Sequence, residues 1–133
     1  MADTVTSQTI QDGQRVAVLK FTNESDGTGE SSVKKVDVSA LSSNNEGKAC
    51  TGVSIARIHW FCRGMGVDIE FDATTNVLAV TLAPDSSGDE YFDQFSGIPN
   101  NAGSGVTGDI DFTTIGHSSG DAYSIILVLN KNY

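Results

Sequence analysis

The chain contains 133 residues, of which 38% are hydrophobic and 19% are charged, with 14 glycines and 2 prolines. This composition excludes a low-charge membrane protein and a disordered tail, and the length suits one domain. A domain of this size buries about two thirds of the surface of its extended chain, so it needs no disulfide to fold. We expect a single β-sandwich domain over residues 1–133, in which residues 1–13 form a polar N-terminal arm.

The net charge of −9 comes from 17 acidic and 8 basic side chains that are unevenly distributed along the sequence. Residues 1–63 contain seven acidic and seven basic side chains, whereas residues 64–133 contain ten acidic ones and a single base, Lys131. Nucleic-acid binding is disfavoured, because affinity for phosphates requires clustered lysine and arginine. No stretch approaches the roughly 20 apolar residues that a membrane span requires, so no membrane partner is expected.

Short apolar runs alternate with clusters of Gly, Ser, Asn and Asp along the whole chain, which is typical of an all-β fold. Strands are predicted over residues 14–22, 32–38, 52–62, 66–72, 77–83, 91–95, 106–115 and 122–131. About eight strands predict an antiparallel two-sheet sandwich, for which a jelly roll is one arrangement.

The pattern within the strands predicts which side chains are buried. Apolar and acidic residues alternate over 67–72, which indicates one buried and one solvated face. The strands over 52–62 and 122–131 are apolar on both sides, so the last is expected at the centre of a sheet or beneath a partner. The predicted core comprises Val18, Ile58, Trp60, Ile69, Phe71, Leu82, Phe112, Ile125 and Leu127.

No motif for catalysis is present. The chain lacks a Gly-x-Ser-x-Gly elbow, a phosphate-binding glycine loop, a His-Glu-x-x-His motif and a Cys-x-x-Cys pair. The two histidines, His59 and His117, have no pattern of catalytic partners around them. We therefore expect neither an enzyme nor a cofactor. The N-terminus lacks the basic and apolar regions of a signal peptide, so Cys50 and Cys62 are expected to be buried thiols.

Carboxylates form the one cluster with plausible ligand spacing for a metal. Asp68, Glu70 and Asp72 occupy alternate positions of one predicted strand, and their oxygens suit a hard cation such as calcium. Further ligands are available from Asp109 and Asp111, or from the segment 85–90. No recognised calcium-loop pattern is present, so a solvated sheet face without metal is the favoured interpretation.

Several phrases of the sequence resemble small structural proteins from the virions of tailed bacteriophages. They are RVAVLKFTN (15–23), DGTGE (26–30), KKVDVSAL (34–41), GIPNNAG (97–103), GVTGDI (105–110), GHSSGD (116–121) and YSIIL (123–127). The resemblance covers about two thirds of the chain and includes no catalytic motif. It implies a virion component assembled in the host cytoplasm, with a capsid decoration (cement) protein as the first choice.

A decoration protein is expected to bind the major capsid protein, copies of itself, or both. The electrically balanced N-terminal half is predicted to contact the shell, and the basic residues at the rim of that contact are Arg15, Lys20, Lys34, Lys35 and Arg57. Two alternatives stay open. One is a tail or head-to-tail connector component, and the other is a carbohydrate-binding β-sandwich module, with or without calcium, in which Trp60 would be an exposed platform.

Overall fold

Nine strands and one short turn of 3-10 helix build the part of the chain that the structure, a computed structural model, describes: residues 3–92 and 97–133. The strands are β1 (Thr4–Asp12), β2 (Val16–Glu24), β3 (Val33–Val36), β4 (Gly52–Arg63), β5 (Gly66–Phe71), β6 (Val77–Leu82), β7 (Ser87–Tyr91), β8 (Ile110–Ile115) and β9 (Ala122–Asn132). The 3-10 turn covers Val38–Ala40 and is capped by the Asp37 side chain. No helix among the described residues is long and apolar enough to cross a membrane.

The strands form two antiparallel sheets that pack face to face, which confirms the predicted sandwich. The larger sheet has the order β1-β2-β9-β4-β7, and the smaller has the order β3-β8-β5-β6. The jelly roll is visible when β1 is set aside and β2 to β9 are numbered one to eight. The larger sheet then has the strand order 1-8-3-6, and the smaller sheet has the order 2-7-4-5. This is the jelly-roll arrangement. The strand that is apolar on both sides, β9, lies at the centre of the larger sheet as predicted.

Strand β1 is an addition to the eight strands of the jelly roll, and it corrects the expected N-terminal arm. Thr4–Asp12 pairs antiparallel with β2 along nearly its whole length. The strand escapes recognition in the sequence because all but its last residue are exposed, so no alternation of apolar and polar residues marks it. Its Thr, Val and Ile residues nevertheless favour extended backbone.

Two other predicted strands are displaced. The strand predicted at 91–95 is found at Ser87–Tyr91, and residues 93–96 lie outside the described part of the chain. The cause is Gly88, which resembles a turn residue in the sequence but lies directly opposite Trp60 of β4. The strand predicted from residue 106 begins at Ile110, because Gly105 and Gly108 have positive φ angles of 68° and 88° that interrupt extended backbone.

A β-bulge in β4 explains why that strand is apolar on both sides. The register with β9 shifts between Ile55 and Arg57, so Ala56 is the extra residue of the bulge. Odd-numbered side chains point into the core before Ala56 and away from it afterwards. Before the bulge Val53 and Ile55 point into the core, and after it Ile58 and Cys62 do. Phe61 is consequently left on the outside, where 57% of its surface is exposed.

The core lies between the sheets and contains a cluster of aromatic rings that pack edge to face. Phe112 of β8 makes edge-to-face contacts with Phe21 of β2 and Tyr123 of β9, at ring-centroid distances of 5.3 Å and 5.8 Å. The predicted core is correct except at two positions. Val18 lies on the outer face of the larger sheet, since Ala17, Leu19 and Phe21 are the buried apolar residues of β2. Trp60 is half-buried against the edge of the core.

Candidate functional site: the outer faces of the two sheets

The outer face of the larger sheet is a flat surface that no other part of the described chain covers. Register across the sheet aligns three rows: Val18, Val128, Arg57 and Tyr91; Lys20, Ile126, His59 and Asp89; and Thr22, Ser124, Phe61 and Ser87. We call this surface the large-sheet face. Its centre is apolar, and its polar side chains include Lys20, Arg57 and His59.

Arg57 is held on the large-sheet face by contacts with an acidic and an aromatic side chain. Its guanidinium donates two hydrogen bonds to Asp89, Nε to Oδ1 at 3.1 Å and Nη2 to Oδ2 at 3.0 Å. It also stacks over the Tyr91 ring, 4.2 Å from the ring centroid. The hydrogen bonds from Arg57 hold the pKa of Asp89 below its ordinary value. His59 Nδ1 lies 3.4 Å from Asp89 Oδ1, so the carboxylate is shared between two basic residues.

The outer face of the smaller sheet is acidic. We define the small-sheet face as the solvent side of β5, β6 and β8, with Asp68, Glu70, Leu78 and Asp111 as its main side chains. Glu70 accepts a hydrogen bond from the Thr113 hydroxyl at 2.9 Å. The Asp111 carboxyl is buried between strands, and Asn76 donates to its Oδ2 at 3.1 Å.

The structure gives the metal candidates no shared ligand geometry. Among the described residues, no group of three or more His, Cys, Asp or Glu side chains is placed to hold a metal ion. Asp72 instead accepts a hydrogen bond from the Thr107 hydroxyl at 2.6 Å. Asp109 accepts from the backbone of Val38 at 2.9 Å and pairs with Lys34. In the segment 85–90, Asp85 accepts from the backbone of Gly64 at 2.7 Å.

The five bases predicted at a contact rim lie in four different settings. Lys20 and Arg57 share the large-sheet face. Arg15 is exposed in the turn between β1 and β2. Lys34 extends towards the small-sheet face, where its Nζ lies 2.8 Å from Asp109 Oδ2. Lys35 is inside the protein, so its ammonium cannot contribute to a rim.

The buried partner of Lys35 is Glu30, at the centre of a polar network between the sheets. Besides the ion pair with Lys35, Glu30 accepts hydrogen bonds from the Tyr123 hydroxyl at 2.6 Å and the Asn23 amide at 2.9 Å. Burial and this carboxylate raise the pKa of Tyr123 above its ordinary value. The sequence carries no signal for the network, because Tyr123 is 93 residues from Glu30 and the other members belong to different elements.

The sequence-based choice of site residues omitted His59 and Phe61. Simple alternation along β4 predicts that Phe61 shares a face with Val53 and Ile55, whereas the bulge places it on the outer face. The described residues also include no cysteine that is placed to act as a nucleophile. Cys50 and Cys62 are buried free thiols, and burial raises the pKa of Cys62 to about 11. Such a thiol is unreactive at neutral pH.

Comparison with known proteins leaves the interpretation to these residues. No protein-family model and no curated protein matches the chain. Among solved structures, the chain is similar to a cupin superfamily protein from Desulfitobacterium hafniense DCB-2, with 11% identity over 100% of this chain and 82% of that chain. The TM-score of 0.37 is too low for that likeness to carry an argument about fold or function.

Proposed function

We propose that this protein is a non-enzymatic structural protein of a bacteriophage virion, a capsid decoration protein that binds the major capsid protein through its large-sheet face. The sequence resemblance to phage virion proteins supports the class. The jelly-roll fold is compatible with it but does not discriminate, because the same fold also builds lectins and cupins.

The observation that carries the proposal is the uncovered large-sheet face. Val18, Ile126, Val128 and Phe61 give it an apolar centre, and Lys20 and Arg57 give it charged neighbours. An apolar centre with a polar surround is the anatomy of a protein–protein interface. A surface made of paired strands also suits attachment to a shell, because its backbone is already ordered before binding.

The difference in charge between the two faces supports the same orientation of the protein on the shell. The small-sheet face carries the carboxylates of Asp68 and Glu70, with Lys34 on the neighbouring edge strand β3. If the large-sheet face contacts the shell, these carboxylates face the solvent. Decorated particles then present like charge to one another, which keeps them from associating.

The test uses a matched pair of exposed apolar residues on opposite faces. Phe61 on the large-sheet face is 57% exposed and Leu78 on the small-sheet face is 54% exposed, so serine at either position should leave the fold intact. The purified variants are mixed with capsids that lack the protein. Phe61→Ser is expected to weaken binding by roughly tenfold or more, as for a central aromatic contact. Leu78→Ser is expected to bind as the wild type does.

Equal binding by the two variants, or loss with Leu78→Ser alone, would refute the proposed orientation. Failure of the wild-type protein to bind capsids at any salt concentration would refute capsid decoration itself. Binding to purified tails instead would favour the tail or connector alternative.

One observation favours the carbohydrate-binding alternative enough to keep it as a second candidate. Phe61 is an exposed aromatic residue on a sheet face with hydroxyl neighbours, Thr22 and Ser124, in the same row. Trp60 is not available as a platform, because its indole is half-buried and Nε1 donates to Ser86 at 3.0 Å. Chemical-shift changes at Phe61 on adding simple glycans would support this alternative, and their absence would dismiss it.

A further inference from the structure

Four strands lie at the edges of the two sheets, and three of them are protected against pairing with another chain. β3 is four residues long and carries Lys34 and Lys35, while β7 is five residues long and carries Asp89 and Glu90. β6 is uncharged, but its register shifts in the middle of the strand, opposite Ile69 and Glu70. Short length, charge and bulges are the devices by which proteins prevent edge strands from pairing.

The fourth edge strand, β1, has none of these devices over most of its length. No charged residue and no proline occurs from Thr4 to Gln11. The register with β2 is continuous from Thr4 to Thr9, and the shift comes only after it, between Thr9 and Gln11. The six residues therefore form an undistorted edge, along which alternate residues direct their backbone donors and acceptors away from β2.

An open groove runs beneath β1, where the two sheets separate at this edge. The groove has a volume of about 240 Å³ and is lined by Val5, Thr6, Ser7, Val33, Lys34 and Lys35. Val5 is 46% exposed and Val33 is 39% exposed, although both belong to strands. A strand added beside β1 can place alternate side chains over these two valines and remove them from water.

We propose that the β1 edge pairs with β1 of a second copy of this chain, antiparallel about a twofold axis, to form one continuous ten-stranded sheet. The occupant follows from the chemistry of the strand. Because Thr4–Gln11 carries no charge, pairing within this segment places no two like charges opposite each other, and its β-branched side chains suit cross-strand pairs. A symmetric pairing of this kind closes on itself and leaves no free β1 edge.

The pairing is expected to be weak and reversible. A single pair of short strands buries less than the roughly 1,200 Å² typical of stable complexes. The dimer should therefore become populated as the protein concentration rises. This inference does not depend on the capsid proposal, since it concerns the purified chain alone.

Cysteine scanning tests the pairing and its symmetry. Single cysteines are introduced at Val5, Thr6, Ser7, Gln8 and Thr9, and at Ser87 on β7 as an exposed control. The native Cys50 and Cys62 are buried and should not compete. Residues opposite each other in paired strands have Cβ atoms about 4.5–5.5 Å apart, so mild oxidation is expected to cross-link one β1 position much faster than its neighbours. Equal cross-linking at all positions, or no excess over the Ser87 control, would overturn the proposal.

A second measurement does not depend on cysteine chemistry. Sedimentation equilibrium is expected to show a monomer–dimer equilibrium for the wild type that shifts to monomer in Ser7→Lys, because the substitution places two like charges near the axis. Thr81→Lys, on the bulged edge strand β6, is the matched control and should dimerise as the wild type does. A wild type that stays monomeric up to millimolar concentration, or a dimer that Ser7→Lys leaves unchanged, would refute the pairing.

Discussion

Lys131 is the only base in the acidic half of the sequence, and its side chain is completely buried. It lies near the end of β9 on the inner face, where Nζ donates to Asp12 Oδ1 at 2.7 Å and to the carbonyls of Gly13 and Ser42 at 2.8 Å each. Burial is the largest single influence and opposes the charge, but the hydrogen bonds and charges of Asp12 and Tyr133 together outweigh it, so the pKa of Lys131 is raised. The ammonium joins the β1–β2 turn to the segment that follows the 3-10 helix.

Replacing this lysine with methionine should therefore be strongly destabilising. Lys131→Met keeps most of the apolar stem but removes the ammonium from Asp12, which keeps only its hydrogen bonds from Ser42, and from two carbonyls. Breaking a buried ion pair costs about 3–5 kcal/mol. Chemical denaturation should show that loss in the free energy of unfolding. Lys20→Met, on the large-sheet face, is the control and should change stability by less than about 1 kcal/mol. Equal stability of the two variants would show that the buried ammonium contributes little.

Asp111 is the acidic counterpart of that buried lysine. Burial, followed by the hydrogen bond and charge of Asp72, raises the pKa of Asp111 to about 6, while the Asn76 amide acts in the opposite direction. Its Oδ1 receives no hydrogen bond from the described side chains. A protonated Asp111 that donates to Asp72 accounts for both observations.

The raised pKa predicts a specific dependence of stability on pH. The folded state holds a proton on Asp111 that the unfolded chain releases near its ordinary pKa of 3.8, so this contribution to stability is present below about pH 4 and is lost as the pH rises through about 6. Asp111→Asn replaces the protonated carboxyl with a neutral group that can still donate to Asp72. The free energy of unfolding of this variant should therefore rise relative to the wild type between pH 4 and pH 7. A constant difference over that range, as expected for the neutral control Thr81→Ser, would contradict the assignment.

At the scale of the elements, the contact between β4 and β7 shows how a glycine can define a strand. A Cβ at Gly88 would lie 2.6 Å from Cη2 of the Trp60 ring, so the absence of a side chain in β7 leaves the space that the indole fills. The ring covers the edge of the core, and its Nε1 donates to Ser86. A turn-like residue in the sequence is thus a packing residue in the sheet.

Trp60→Ala tests the strength of this packing. Removing a large aromatic ring from a core costs about 3–5 kcal/mol, and the partial exposure of Trp60 places the expected loss near 3 kcal/mol. Phe61→Ala, the neighbouring residue on the opposite face, should change stability far less, because its ring is mostly exposed. Thermal unfolding of the two variants distinguishes the faces of β4. Similar melting temperatures would show that the Trp60 ring contributes no more than an exposed side chain.

The elements that sequence patterns predict well are those whose two faces differ. β5, with its alternating valine, isoleucine and phenylalanine, is found within one residue of its predicted bounds. β9 is found at the centre of its sheet, which is one of the two positions that its apolar residues on both sides predict. β1 is not predictable from the sequence, because an edge strand exposed on both faces shows no alternation of apolar and polar residues. The β4 bulge is not predictable either, because it exchanges the inner and outer positions of the strand without a local sequence signal. Phe61 was missed as a surface residue for this reason.

At the scale of the whole molecule, the uneven distribution of charge along the sequence gives the two sheets outer faces of different charge. The larger sheet takes β1, β2 and β4 from the balanced half, whereas the smaller takes β5, β6 and β8 from the acidic half. The jelly-roll connections thus keep much of the division in charge, although strands from both halves meet in each sheet. Lys20 and Arg57 consequently lie on the face opposite Asp68 and Glu70.

The acidic face should be stable without a divalent cation. Carboxylates on this side of the protein are engaged with its hydroxyl and ammonium groups, as Glu70 is with Thr113, Asp72 with Thr107 and Asp109 with Lys34. Prolonged chelation is therefore expected to leave the melting temperature unchanged. A cation bound only to the native state would raise stability by mass action, so a fall on chelation that calcium restores would contradict this prediction.

The unlike faces lead to a final prediction about the kinetics of capsid binding, which rests on the proposed function. Lys20 lies in the middle row of the large-sheet face, beside Ile126, and it makes no ion pair with the residues that the structure describes. Charges around an apolar contact mainly steer association, so Lys20→Glu should slow binding to capsids several-fold at low salt and much less at high salt, with a smaller change in the dissociation rate. Lys34→Glu makes the same change of charge near the small-sheet face and is the matched control. Stopped-flow or surface-binding kinetics with both variants at two salt concentrations measure the difference. An association rate slowed equally by both variants would indicate an effect of net charge alone, and a rate slowed only by Lys34→Glu would place the shell contact on the acidic side.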